Sequence, residues 1–232
     1  MPKEKTIHSE IGSFMSTLIR DHFGKGPTSV YVAFARPFIT IHLRGFLTPT
    51  EKVLLKQNEP NRILKIRDLL MKDLVSEIKL ALWKIGEFDV KEVYADWNLT
   101  NESGMIIVVL NEDANLESFD RPANFDEKAF KEELNKASVK AQKKPGSTEI
   151  YWLNDRTILA KRTEILVAVE KELIKNGFSE ELKIAKRPLE RKVFGEVQLE
   201  AVLKRAIIET FVEWNFDTDK AYTVFVLEPE KK

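Results

Sequence analysis

The sequence predicts an α+β protein made of two repeated α-β-β-α-β-β units, and three observations carry that reading. Stretches of helical period and stretches of β-branched, alternating residues follow in the same order in both halves. Three collinear blocks of identical residues link the halves at nearly constant spacing. An acidic, aperiodic stretch with Asp120-Arg121-Pro122 lies between them and reads as a linker.

Ile7, Ile11, Phe14, Leu18 and His22 recur at steps of three and four, which predicts an amphipathic helix ending at Gly24. Val30–Ala35 and Phe38–Leu43 then read as a hairpin, with Pro37 in the turn because proline cannot donate to a ladder. Leu47–Lys56 is a short helix. Ile63, Ile66, Leu70, Leu74, Ile78, Leu82 and Ile85 mark one apolar stripe on a long helix. Val90–Trp97 and Met105–Leu110 make a second hairpin, whose uninterrupted apolar strand predicts burial on both faces or at an interface. The order then returns. A helix covers Asp126–Lys143, and strands cover Thr148–Leu153 and Thr157–Lys161. Helical segments broken near Pro188 follow, and a hairpin over Ile208–Leu227 closes the chain.

Thirteen identities support duplication. Gly26, Thr28, Tyr31 and Arg36 match Gly146, Thr148, Tyr151 and Arg156, each 120 residues on. Leu47, Glu51, Lys52, Leu54 and Lys56 match Leu166, Glu170, Lys171, Leu173 and Lys175 at 119. Trp97, Asn98, Val109 and Leu110 match Trp214, Asn215, Val226 and Leu227 at 117. The units are expected over residues 1–113 and 126–232, with residues 114–125 as linker. Antiparallel sheets covered by helices, related by a pseudo-two-fold axis, would make the chain a covalent version of a dimer.

Composition narrows the function. Thirty-seven basic and 37 acidic residues leave no net charge, which argues against non-specific nucleic-acid binding. The absence of cysteine removes disulfides, thiolate nucleophiles and thiolate metal sites. His8, His22 and His42 form no metal-binding spacing. The charged start predicts no signal peptide, and the longest apolar run, Met105–Leu110, is too short to span a bilayer, so the expected location is cytoplasmic. High Lys and Glu with only three glutamines lean toward a thermophile.

Phe23-Gly24-Lys25-Gly26-Pro27-Thr28, followed after a hairpin by Leu47-Thr48-Pro49-Thr50-Glu51, resembles the MpsC-like family, as does the ending Phe225-Val226-Leu227-Glu228-Pro229. The family unit is half the length of this chain. The resemblance therefore implies a tandem pair whose second copy has diverged to Lys144-Pro145-Gly146 and Leu166-Val167-Ala168-Val169-Glu170. It also implies a small soluble component linked to a membrane system that generates membrane potential or supports cation and inorganic-carbon uptake. It carries over no catalytic residue.

The motifs themselves read as structural. A phosphate loop needs a glycine five residues before its Gly-Lys pair and Ser or Thr directly after, so Gly24, Gly26 and Pro27 read instead as a helix stop and corner. Thr48, Pro49 and Glu51 have the spacing of a capping box. Trp97 and Trp214 close strands and read as packing. Arg36, Arg44, Lys52, Lys56, Arg62, Lys65 and Arg67, with acids interspersed, read as a solvated mixed face or an anion or headgroup patch. The candidate ligand or partner surface is Arg36, His42, Arg44, Lys52 and Lys56, with His42 pointing away from the core. No catalytic residue, metal or cofactor is expected. The leading reading is a non-enzymatic binding or regulatory module with a protein partner, peripheral to a membrane complex and not inserted. Self-association stays open. The alternatives are a small-molecule or anion sensor using a cleft between the halves, and an enzyme with carboxylate chemistry.

Overall fold

The computed structural model describes residues 2–35, 37–111, 119 and 121–230, with side chains from Ile7 onward. The chain divides into two compact units, residues 1–118 and 119–232. Half of the linker expected over 114–125, residues 114–118 and 120, lies outside the described residues.

The first unit runs α1 (Pro2–Phe23), β1 (Ser29–Ala35), β2 (Phe38–Arg44), α2 (Pro49–Lys56), α3 (Pro60–Gly86), β3 (Val90–Asn98) and β4 (Ser103–Leu110). The second runs α4 (Glu127–Ala141), β5 (Ser147–Asn154), β6 (Thr157–Thr163), α5 (Ala168–Lys175), α6 (Ser179–Gly195), α7 (Leu199–Leu203), β7 (Ile207–Asn215) and β8 (Lys220–Leu227). Each unit holds one antiparallel four-stranded sheet, ordered β1-β2-β4-β3 and β5-β6-β8-β7. The fold is thus α+β with two similar halves.

The cores follow from side-chain period. In the first unit Ile11, Met15, Leu18 and Ile19 of α1 and Met71, Leu74, Ile78 and Leu82 of α3 pack on Ile39, Ile41 and Leu43 of β2 and Ile106, Val108 and Leu110 of β4. Each such side chain contributes about 1.5–3 kcal/mol through burial. In the second unit Phe130, Leu134 and Ala137 of α4 and Val193 and Phe194 of α6 pack on Ile158, Ala160 and Phe225. The buried positions of α4 repeat those of α1 119 residues on.

Pro188 does not break its helix. α6 runs through it, and the interruption falls at residues 196–198, where α3 of the first unit continues unbroken. A proline ring removes one N–H and bends a helix, but flanking packing holds the remaining turns.

Strand pairing corrects one part of the sequence alignment. Tyr31 pairs with His42, whereas Tyr151 pairs with Leu159, the counterpart of Thr40. The residue in Tyr31's place is Glu149, which pairs with Lys161. The first strands therefore correspond at 118, not 120. The extra residue is taken up by a bulge between Trp152 and Asn154 that β1 lacks. Trp97 and Trp214 do occupy equivalent places, opposite Gly104 and Ala221.

The corner after the first hairpin bears out the 118 register. Gly45 has φ +65°, and a Cβ there would lie 2.2 Å from the Thr28 hydroxyl oxygen. In the second unit Glu164 holds the same left-handed position at φ 54°. The residue facing it is Gly146, where a Cβ would meet the Glu164 carboxyl at 2.6 Å. Only one member of each facing pair has room for a side chain. Gly45→Ala is expected to cost about 2 kcal/mol or more from strain and clash, and adding Thr28→Gly should recover the clash and leave about 1 kcal/mol of left-handed strain. Urea denaturation of the single and double variants checks this, and equal losses in both would refute the facing-pair account.

Candidate functional site

The loop between β2 and α2 delivers Glu51 into the interior. Thr48 is extended at the N-cap, and its hydroxyl accepts from the Glu51 amide at 3.3 Å. The Glu51 carboxylate accepts from the Thr48 amide at 2.7 Å. The capping box read from the sequence is therefore present, but it is half of the arrangement. Arg67 of α3 donates Nε and Nη2 to the same carboxylate at 2.7 and 2.8 Å, and Nη2 also reaches the Phe46 carbonyl at 3.0 Å. The guanidinium lies 4.3 Å from the Phe46 ring centre and 4.8 Å from that of Trp97. Phe23 packs on both rings.

Arg67 is thus fully buried and not part of a solvated basic face. Its sequence signal was its spacing: it stands four residues after Ile63 and seven before Leu74, on the apolar stripe itself. An always-charged guanidinium survives there because two carboxylate oxygens, a carbonyl and two aromatic faces replace water. Burial pushes the Glu51 carboxyl up, but bonds and charge from Arg67 and the Thr48 amide outweigh it and hold the group below its ordinary range.

The second unit keeps the geometry and changes the cation. Lys186, 119 residues after Arg67, sits 2.6 Å from Glu170 and lies over the Trp214 ring at 5.8 Å. Val167 has no side-chain acceptor, so only the Glu170 half of the box remains, accepting from the Val167 amide at 3.0 Å. A second buried pair adjoins it. Arg162 meets Glu190 at 2.5 Å and donates to Ser138 at 2.9 Å and to Thr223 at 3.1 Å, while Trp214 Nε1 donates to Glu190 at 3.0 Å. On the opposite face of the sheet Glu213 holds Arg187 at 3.1 Å and Lys183 at 2.8 Å.

The remaining sequence candidates do not converge. Arg36 lies outside the described residues. Arg44 is exposed at the end of β2, where its carbonyl accepts from the Thr28 amide and hydroxyl. Lys52 stands 3.8 Å from Glu102 with both side chains substantially exposed, and Lys56 is exposed in the last turn of α2. His42 faces away from the core cluster, as read, but is only 9% exposed, with its ring 6.3 Å from Tyr31. Gly24 closes α1 in the left-handed region, and Lys25 reaches across the corner to the Leu47 carbonyl at 3.0 Å, tying that corner to the loop before α2.

Two further features were not anticipated. The outer face of α3, opposite its core stripe, carries Ile66, Leu69, Leu80 and Trp83, each more than half exposed. Beside Leu80, a groove of about 680 Å³ between α1 and α3 is lined by Phe14, Ala81 and Ile85, with Glu10, Glu77 and Lys84 at its edge. Among the described residues no helix is long and apolar enough to cross a membrane.

Replacing Arg67 with Met leaves the Glu51 carboxylate facing two rings and is expected to cost about 3–5 kcal/mol. Glu51→Gln with Arg67→Met should cost less than the sum of the single changes by about 1 kcal/mol or more; additivity would show the pair to be uncoupled. A depressed folded pKa gives stability that is present above the unfolded value, 4.5, and lost as pH falls through the folded one. Glu51→Gln is therefore expected to flatten the fall in stability below pH 4.5, measured by denaturation at stepped pH. An unchanged slope would refute the assignment.

A family model described as Na+-translocating membrane potential-generating system (MpsC) matches residues 3–112. The uncharacterized protein YbcI of Bacillus subtilis (strain 168) is 31% identical over 121 residues, which cover 50% of this chain and 98% of YbcI. No solved structure matches the chain. Through its first half, which carries the capping box, the Arg67 clamp and the Lys25 corner, the chain belongs to the MpsC family.

Proposed function

We propose that this protein is a non-enzymatic binding module that acts through a protein partner, a component of membrane-associated cation-transport machinery. The outer face of α3 carries the reading. Ile66, Leu69, Leu80 and Trp83 fall at heptad a and d spacing, with Asp73 and Ser76 completing the row. Exposed apolar side chains in register on a helix whose other face is already buried are the pattern of helix-in-groove recognition. The buried ion pairs fit a scaffold, since each charge is neutralised in place and held rigid by its partners. The family's description, a membrane potential-generating system, supplies the class of partner.

The second half is a diverged copy of the first. Supporting this are the shared element order and sheet order, the matching bulges before Glu92 and Glu209, and the Glu–cation–Trp sets of both units. Divergence has changed its surface: Thr50 of α2 has its counterpart in Val169 of α5, which is 65% exposed.

The test is affinity capture from detergent-solubilised membranes of the native organism, with the wild-type chain and with Leu69→Glu/Trp83→Glu. Surface changes of this kind leave stability within about 0.5 kcal/mol. The wild type is expected to retain a membrane transport protein that the double variant loses. Equal capture by both, or capture of no membrane protein by the wild type, would refute the proposal.

A further inference from the structure

The two units differ at one corner of the sheet, and the difference opens a cavity. In the first unit the Phe34 and Phe88 rings lie 5.7 Å apart, and His8 packs edge-on against Phe34 at 4.4 Å. These aromatic side chains fill the corner beneath the left-handed residue Glu87. Strand pairing places Trp152 where Phe34 stands, because each pairs with the equivalent isoleucine, Ile158 or Ile39. The left-handed residue Lys204 stands where Glu87 does, and so Arg205 replaces Phe88. Its guanidinium bonds the carbonyls of Asp155 and Glu228 and stands 3.7 Å from the Glu230 carboxylate at the cavity wall. The place of the second ring is left as a cavity of about 580 Å³.

The cavity wall combines three kinds of chemistry. Phe125 meets Trp152 edge-on at 5.2 Å and makes an aromatic wall, continued by Val202, Leu203 and Pro229. Glu200, Glu228 and Glu230 supply carboxylates, whereas Lys204 and Arg205 supply cations. Trp152 is 6% exposed, and its indole N–H has no hydrogen-bond partner among the described residues.

We infer that this cavity is a binding site for a small zwitterion with an apolar side chain, of the amino-acid or dipeptide class. A purely anionic ligand would meet three carboxylates, and a purely cationic one would meet Lys204 and Arg205. A zwitterion satisfies both signs: its ammonium lies among the carboxylates, its carboxylate takes the Lys204 ammonium, and its side chain lies on Phe125. The volume falls in the range of ordinary small-ligand pockets. This site is independent of the α3 reading and stands or falls alone.

The test is calorimetric titration of the full chain with phenylalanine, leucine and alanyl-phenylalanine. Controls are N-acetylphenylalanine, phenylalaninamide, putrescine and phenylacetate. Saturable binding of a zwitterion, weaker by about tenfold or more for the blocked forms, is the expected result. Arg205→Phe rebuilds the first unit's aromatic plug and should abolish binding. Lys204→Gly should weaken it about tenfold; glycine suits the left-handed position, so the fold is retained there. No saturable binding by any zwitterion, equal binding of putrescine or phenylacetate, or binding that survives both variants would each overturn the assignment.

Discussion

Much of the first unit depends on where one carboxylate goes. Glu51 ties the start of α2 to α3 through Arg67, and Arg67 ties both to the sheet through Phe46 and Trp97. Taking two charges out of water costs several kcal/mol each, and a hydrophobic pair of similar volume often does as well for stability. The return on such a pair is geometric. A planar guanidinium with two parallel bonds to one carboxylate fixes the rotation of α3, and the Thr48 amide fixes the carboxylate in turn. A methionine in place of Arg67 would fill the volume and leave that rotation to packing alone.

The second unit meets the same constraint with different chemistry. Lysine offers a point charge with no preferred plane, so Lys186 cannot define direction as Arg67 does. Around it the interior is more polar than that of the first unit at several equivalent positions. Ile19, Leu43, Met71 and Ile106 of the first core have Ser138, Arg162, Glu190 and Thr223 as counterparts. Arg162 alone among aliphatic side chains would be a buried unpaired charge, and so would Glu190. Together with two hydroxyls and the Trp214 indole they neutralise and bond one another, with the Arg162 Nε left without a partner among the described residues. The two cores are consequently not interchangeable: an Arg162-bearing strand placed on α3 would find Met71 where it needs Glu190.

Legibility in the sequence followed the kind of physics involved. The order of elements, the capping box and the paired tryptophans were readable because period and cap chemistry are local. Arg67 was missed because an apolar-stripe reading passes over a charged residue even at core spacing. The match of Tyr31 with Tyr151 was misleading for a different reason: identity along the chain ignores a bulge, and one residue of bulge moves every later side chain to the other face. Gly45 facing Thr28, and Glu164 facing Gly146, would have set the register correctly, but only once the facing strands were known. The cavity beside Trp152 depends on Arg205 standing for Phe88, a comparison that needs that same register.

Family resemblance and physical resemblance therefore diverge between the halves. The family model covers residues 3–112, where the corner and helix-start motifs stand intact. The second unit lacks a side-chain cap at Val167 and has Arg205 in place of an aromatic plug, yet it has the same strand order, the same bulge ahead of Glu209 and a tryptophan over a buried cation. What the two units share are relations between positions: a carboxylate at the third residue of a helix, a cation sixteen residues on, and an indole above them. Relations of that kind survive exchange of arginine for lysine or threonine for valine, which erases a motif while leaving the fold that the motif marked.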